Sequence, residues 1–358
     1  MNQKKTAAPR FRIIHMELTN VCNFECDFCP SAHQTRKRVF METELAKDII
    51  SEIAEHHLSD YISFHIMGEP LLHKDVLELC HFAEEQGLSA VLFTNGALLN
   101  EELNTKLLAT GLARLEVSFR SPNELAFIQK SPPSSLTFEA YKDKVKGLIS
   151  SKLDSDSYTE IRIHFFKKSK LFDSFCPVDT RHLTNRQDNL SIMNEFQTHC
   201  LTMAKRLGKD ISKYQAVSLS PSRDAAEIFD RIYLCCQRLI YFYLTECSRY
   251  SSYSKAFFGS CDTFRNQSDF GILANGDVTT CCLDYNGENV IDNVRNKKLV
   301  DILETDQVKS IIKHFNRYHP PTDLCRRCLG NPNVFFSLSK QAYSIFQGFA
   351  KSIEKGRD

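Results

Sequence analysis

The sequence predicts an α/β fold in which a partial barrel of six strand–helix units is followed by a small, cysteine-rich C-terminal domain. Two features predict the barrel. Segments with strand periodicity alternate with segments of helical periodicity from Arg12 to Leu219, the pattern of parallel strands joined by right-handed crossovers. Several strands also divide into an apolar and a polar face, whereas parallel strands covered on both sides read as unbroken apolar runs. Their apolar faces would meet helices and their polar faces would line an interior. The third feature is a change of character after residue 260, where Cys261, Gly276, Cys281, Cys325 and Cys328 stand as C-x14-G-x4-C and a distant C-x2-C.

Arg12–Leu18 alternates Ile14, Met16 and Leu18 with His15 and Glu17, a strand leading into the run LTNVCNFECDFCP, Leu18 to Pro30. Glu42–His56 places Leu45, Ile49, Ile53 and Ala54 at helical spacing. Tyr61–Met67 is the second strand, Val76–Gln86 a helix stopped by Gly87, and Ala90–Thr94 a short buried strand ending at Asn95-Gly96. Asn100 caps the next helix, which closes at Gly111. Leu112–Arg120 is the fourth strand, Thr137–Ser150 the fourth helix, Glu160–Phe166 the fifth strand and Leu190–Leu207 the fifth helix. A sixth strand is expected near Gln215–Leu219, then a helix from Ser222 to Thr245.

The polar residues His15, Glu17, His65, Glu116, Ser118, Arg120, Arg162 and His164 are expected to face the interior as a largely ligand-facing set. A closed eight-strand barrel fills that space with side chains, so six strands with a polar lining suggest an open crevice. Phe270–Thr280 reads as a hairpin turning at Asn275-Gly276. The expected organisation is a barrel over residues 1–220, a connecting helical segment over 221–260, the cysteine-rich domain over 261–332 and a C-terminal helix over 333–358.

At 358 residues, 42% hydrophobic and 25% charged, the chain has ample material for a core and no bias toward disorder. A net charge of +1 gives no reason to expect a polyanionic partner, and no nucleic acid is expected. The N-terminus MNQKKTAAPRF lacks the apolar segment of a secretory signal. The longest strongly apolar run, Leu239 to Leu244, is far short of the roughly 20 residues of a spanning helix. A cytoplasmic protein without a membrane partner is expected, and fourteen cysteines in that compartment argue for metal or redox chemistry before disulfides.

Cys22, Cys26 and Cys29 form C-x3-C-x2-C on a loop leaving a strand. Three thiolates so placed can hold three corners of a [4Fe-4S] cluster and leave the fourth iron open; a zinc knuckle is the other reading, although structural zinc favours four ligands in paired C-x2-C units. The triplet, with Phe28 before its last cysteine, resembles the cluster loop of radical S-adenosylmethionine (SAM) enzymes over about residues 10–220. The resemblance implies a (β/α)6 core, with SAM on the open iron and its reductive cleavage to a 5′-deoxyadenosyl radical. It also implies that Gly68, Glu69 and Pro70 stand for a Gly-Gly-Glu-Pro motif receiving the SAM amino group, with Met67 in place of the first glycine. Thr94, Asn95, Ser118 and Arg120 fall where the family contacts the methionine and ribose parts. Arg120 is the candidate for the SAM carboxylate, which a guanidinium can bind through two parallel hydrogen bonds.

The cysteines after residue 260 resemble the auxiliary-cluster region of SPASM and twitch domains. No cysteine follows Cys328, so the resemblance implies one auxiliary [4Fe-4S] cluster held by Cys261, Cys281, Cys325 and Cys328. Cys282 is the alternative to Cys281, and structural zinc the alternative to the cluster. Cys80, Cys176, Cys200, Cys235, Cys236 and Cys247 lack cluster spacing and are expected mostly as buried small apolar residues; any of them facing the cavity is a candidate hydrogen donor.

The expected activity is hydrogen abstraction from a small polar substrate of sugar or aminocyclitol type, with net oxidation through the auxiliary cluster and a flavodoxin or ferredoxin as electron donor. Residues 1–11 alone precede the first strand, so no fused leader-peptide-binding domain is expected. Peptide epimerisation or crosslinking is the alternative, and a non-catalytic iron–sulfur or zinc protein the alternative of another class. No catalytic acid, base or hydrogen donor is assigned.

Overall fold

The computed structural model describes residues 9–167, 181–238, 255–261, 267–330 and 334–355. Strand β1 (Ile13–Met16) pairs in parallel with β2 (Tyr61–Phe64), β2 with β3 (Ser89–Thr94), β3 with β4 (Arg114–Val117) and β4 with β5 (Glu160–Lys167). Between them run helices α1 (Thr43–Glu55), α2 (Val76–Glu85), α3 (Glu101–Ala109), α4 (Glu124–Ile128) and α5 (Phe138–Leu153), followed by α6 (Arg186–Arg206). The outward strand residues Ile14, Met16, Ile62, Leu92, Leu115 and Ile163 are fully buried against these helices. Side-chain oxygens of Asn100 and Thr137 cap α3 and α5, and short α4, which has no counterpart in the sequence reading, is capped by Asn123.

The sixth parallel strand departs from expectation. It is β7 (Ile232–Arg238), which lies in parallel register beside β5. Gln215 ends a single turn, α7 (Ser212–Gln215), and residues 216–219 form no strand. Where a helix was expected from Ser222, β6 (Ala225–Phe229) and β7 instead form an antiparallel hairpin, with Arg231 at φ +62° in its two-residue turn. Ile232, Leu234 and Cys236 at period two are the strand signal that the helical reading overlooked. Residues 239–245 of that expected helix lie outside the described residues.

The polar strand faces meet one another inside the curve. His15 stands opposite Ser63 and Glu116 opposite Arg162. Most of this set is engaged internally, against the expectation of a mainly ligand-facing role: Glu116 pairs with His164 and Arg114, Arg162 with Glu160, and Glu17 with Arg36. Burying ionic groups requires partners, and here they come from the same strand, from the neighbouring strand and, for Glu17, from Arg36 in the loop that follows. Burial holds His65 neutral, down to about 3, as its ring stacks 4.2 Å from Phe93.

The C-terminal part continues the same sheet. Strand β8 (Asp269–Ile272) pairs in parallel with β1, and β9 (Asp277–Thr279) and β10 (Val290–Asn293) follow antiparallel. Among the described residues ten strands run β10-β9-β8-β1-β2-β3-β4-β5-β7-β6 in an open sheet. Gly276, at φ +94°, turns the β8–β9 hairpin. Helices α8 (Leu299–Leu303), α9 (Asp306–Asn316), α10 (Asp323–Leu329) and α11 (Val334–Lys355) complete the chain. Among the described residues no helix is long and apolar enough to cross a membrane.

Gly68 is the tightest backbone position near the site. At φ +73°, a Cβ would lie 2.3 Å from the Thr19 carbonyl oxygen and 2.7 Å from that of Val21. Gly208, at φ +70°, has nothing within 4 Å. Gly68→Ala is therefore expected to lower unfolding stability by at least about 3 kcal/mol, against about 1 kcal/mol for Gly208→Ala, in urea titrations followed by circular dichroism.

Candidate active site

The cysteine loop has little regular structure, and its shape is imposed by the ends of the strands around it. The backbone N–H of Glu69 donates to the Val21 carbonyl at 2.8 Å. The Glu69 carboxylate accepts from the Leu71 N–H at 3.1 Å and the Asn95 N–H at 2.6 Å, tying the end of β2 to the end of β3. Burial pushes this carboxyl up to about 7 against those hydrogen bonds. The Asn95 amide donates to Asn23 Oδ1 at 2.7 Å and lies 3.7 Å from Cys22 Sγ, which also accepts from the Phe24 N–H at 3.4 Å. On the other flank the Glu25 and Asp27 N–H groups donate to the carbonyls of Lys130 and Gln129.

The three thiols lie close enough to act on one another electrostatically. Burial pushes Cys22 up to about 11 and Cys26 further, with Lys130 opposing the rise at Cys26. Lys130 is buried and donates to the Ser118 and Phe119 carbonyls at 3.1 and 3.0 Å and to the Tyr141 hydroxyl at 2.7 Å. Burial pulls its ammonium down to about 8, and the thiol of Cys26 works against this. No motif marks Lys130 or Tyr141 in the sequence; the turn after α4 and the helix α5, neither of which carries a cysteine, bring them here.

The other residues expected at this end of the barrel also gather there. Phe28 is buried edge-on to Phe166 at 5.6 Å, and the Arg120 guanidinium lies over the same Phe166 ring at 4.6 Å. Arg120 adopts φ +43°, its N–H donating to the His164 carbonyl, and its side chain reaches Gln237 on β7. Burial lowers its guanidinium to about 10, while Cys26 and Cys29 act to raise it. Pro70 opens a short 3-10 turn capped by Glu69, and Ser118, half-buried, donates its N–H to Thr94 O.

The second cysteine set draws on distant segments. Thr322 caps α10 by accepting from the Cys325 N–H, and Cys325 and Cys328 sit one turn apart on that helix. Cys281 is half-buried, its thiol pushed well up by desolvation and by the nearby thiols of Cys282, Cys261, Cys325 and Cys328. Cys261 acts on both vicinal thiols, Asp269 on Cys282, and Cys325 and Cys328 on Cys281, which favours Cys281 as the fourth member. The first set fits an iron–sulfur cluster, with N–H donors at Cys22 and the cations Lys130 and Arg120 beside the thiols, and the second gathers four thiols, as such a cluster needs. Cys80, Cys200, Cys235 and Cys236 are buried, as expected of small apolar residues; Cys176 and Cys247 lie outside the described residues.

The two sets are joined. Arg36, just past the first loop, donates through Nη2 to both oxygens of Glu17 at 2.9 and 2.7 Å and through Nε to the Tyr285 carbonyl at 2.8 Å. Burial raises Glu17 to about 7, with Arg36 opposing. Ile66, Met67, Leu273 and Tyr285 form an apolar group on which both Cys29 and Cys282 pack.

A cysteine triad at the mouth of an open parallel barrel, beside a second cysteine set, defines an iron–sulfur protein of the α/β class. Residues 16–168 match the Radical SAM superfamily model, and residues 261–329 match SPASM, an iron–sulfur cluster-binding domain. The chain thus carries a radical SAM domain followed by a SPASM domain, the latter a type that binds iron–sulfur clusters.

Among curated relatives, an AdoMet-dependent heme synthase of Methanosarcina barkeri is 39% identical over 119 residues, 33% of each chain. An S-adenosyl-L-methionine-dependent 2-deoxy-scyllo-inosamine dehydrogenase of Niallia circulans is 30% identical over 111 residues, 30% of this chain and 44% of that protein. The chain thus matches less than half the length of these curated relatives. Among solved structures, BtrN in complex with AdoMet and 2-DOIA superposes with a TM-score of 0.50 at 17% identity, covering 89% of this chain and 93% of that one. Streptococcus suis SuiB bound to its precursor peptide SuiA gives 0.51 at 14% identity, covering 86% and 67%. These likenesses show the fold.

Two predictions follow from the buried charges. Lys130→Met is expected to lower unfolding stability by about 2–3 kcal/mol and to reduce the iron retained after desalting, read by denaturant titration and iron analysis. Arg36→Met, which strands the Glu17 carboxyl, is expected to cost about 3–5 kcal/mol, much of it recovered in the Arg36→Met/Glu17→Met double variant.

Proposed function

We infer that this chain is a radical SAM enzyme that abstracts a hydrogen atom from a small polar substrate of sugar or aminocyclitol type. The net reaction is an oxidation in which the substrate radical passes an electron to the auxiliary centre. When bound, the first cluster supplies the electron that splits SAM into methionine and the 5′-deoxyadenosyl radical. Cys22, Cys26 and Cys29 hold that cluster, and Cys261, Cys281, Cys325 and Cys328 hold the auxiliary one. Arg120 pairs with the SAM carboxylate, Phe28 packs by the adenine, and Gly68, Glu69, Pro70, Asn95 and Ser118 shape the seat for the rest of SAM. A flavodoxin or ferredoxin supplies the reducing electron.

The observation that carries this reading is the shared apolar group of Ile66, Met67, Leu273 and Tyr285, packed by Cys29 on one side and Cys282 on the other. Cys282 adjoins Cys281 in the chain, so the group brings the first loop and the segment that carries Cys281 against a common wall, which supports a substrate reached from both cysteine sets. The dehydrogenase relative favours the aminocyclitol class. The second reading is peptide modification, favoured by the likeness to SuiB with its precursor peptide.

Anaerobic reconstitution followed by reduction with SAM tests the reading. Near eight irons per chain and release of 5′-deoxyadenosine are expected; bound zinc without SAM cleavage would support a non-catalytic protein instead. Cys26→Ala is expected to abolish 5′-deoxyadenosine formation, whereas Cys325→Ala retains uncoupled cleavage and loses product. Equal cleavage by wild type and Cys26→Ala would remove the first loop from the chemistry. Deuterium transferred into 5′-deoxyadenosine from a labelled aminocyclitol, and not from a peptide, separates the two substrate classes.

A further inference from the structure

His15, Asp269 and Cys282 each offer one ligand atom, and these atoms all lie within 4.8 Å of one another. The sheet register explains how residues so distant in sequence meet. Ile13 stands opposite Asp269 and His15 opposite Gly271 in the parallel β1–β8 ladder, so His15 and Asp269 project from one face of neighbouring strands. Gly271 adds no side chain between them. A Cβ there would meet Ile66 Cδ1 and Thr279 Oγ1 at 2.9 Å and the Cys281 carbonyl oxygen at 3.4 Å, so the glycine lets the Cys281–Cys282 segment close over the strand.

Two independent observations point to a ligand. Asp269 Oδ1 is buried and has no hydrogen-bond partner among the described residues, an arrangement that calls for an ion or water. His15 Nδ1 lies 2.7 Å from Ser63 Oγ, the kind of outer contact that fixes the tautomer of a metal-binding imidazole and leaves Nε2 to the metal.

We propose that His15, Asp269 and Cys282 form a mononuclear site for a divalent transition ion of the zinc type, separate from both cysteine sets. One imidazole, one carboxylate and one thiolate suit a borderline ion, and three protein ligands leave a tetrahedral position open. Calcium and magnesium take oxygen ligands, and iron–sulfur clusters are held chiefly by thiolates. The vicinal cysteines divide the work: Cys281 feels the charges of Cys261, Cys325 and Cys328, and the sulfur of Cys282 lies within 4.8 Å of the His15 and Asp269 ligand atoms.

The test uses reconstituted holo-protein, with iron and sulfide counted before and after zinc is titrated against a chromophoric chelator. One tight zinc equivalent per chain is expected, with iron and sulfide unchanged. Ser63→Ala, which keeps all three ligands, is expected to weaken zinc by about 10–100-fold. Asp269→Asn and Cys282→Ser are expected to remove the equivalent at wild-type iron content. Wild-type holo-protein that takes up no zinc, or variants that bind it as tightly as wild type, overturns the proposal. Loss of cluster iron in Cys282→Ser also overturns it, by assigning that thiol to a cluster. The titration needs no turnover, so the zinc site and the proposed radical chemistry fail separately.

Discussion

A loop that must present three thiolates in fixed positions has almost no hydrogen-bond ladder of its own, and Glu69 supplies what the loop lacks. Its buried carboxylate spans from its own turn, at Leu71, to the end of β3 at Asn95, and its N–H holds the Val21 carbonyl. Asn95 then reaches back to Asn23 and the Cys22 sulfur. Gly68 permits the approach, because any side chain would strike the Thr19 and Val21 carbonyls. The loop is thus shaped by strand ends, and the rigidity of the sheet is transmitted to the thiols.

Positive charge is placed around the same loop at a cost in desolvation. Lys130 and Arg120 are both driven toward neutrality by burial, and each is held by carbonyls, a hydroxyl or an aromatic face. Such cations suit a centre that gains negative charge when thiolates bind iron. The stacked rings of Phe119 and Tyr141, 5.0 Å apart, with Phe196 edge-on at 5.1 Å, provide the packed floor on which Lys130 stands.

The two cysteine sets share a scaffold because the sheet does not stop at the barrel. Strand β8 adds to the free edge of β1, so the first strand carries the first loop at its end and the second set at its side. The Arg36 bridge from Glu17 to Tyr285 fixes that relation, with Nη2 shared between both Glu17 oxygens and Nε on the Tyr285 carbonyl. Shifting the β1–β8 register by one residue would turn Asp269 to the opposite face and separate it from His15.

Local pattern was enough where the physics is local. The spacing of Cys22, Cys26 and Cys29, the period-two strands from Ile14 to Ile163, the Asn100 and Thr137 caps and the turn at Gly276 were all legible, because each depends on neighbours a few residues away. The hairpin of 225–238 was misread because a short apolar run fits a helix as well as the period-two signal of Ile232, Leu234 and Cys236, and pairing with β5 decides for the strand. The ion pairs inside the barrel were equally hidden, since Glu116 and His164 meet across strands 48 residues apart.

The sequence by itself determined that cysteines at two spacings would serve metal centres on a parallel α/β framework. Tertiary structure alone decided that Lys130 and Tyr141 stand under the first loop, that Cys281 and Cys282 face different partners, and that His15 meets Asp269. Those outcomes depend on register and on the closing of long loops, and no periodicity along the chain encodes which distant residues a sheet will bring to one face.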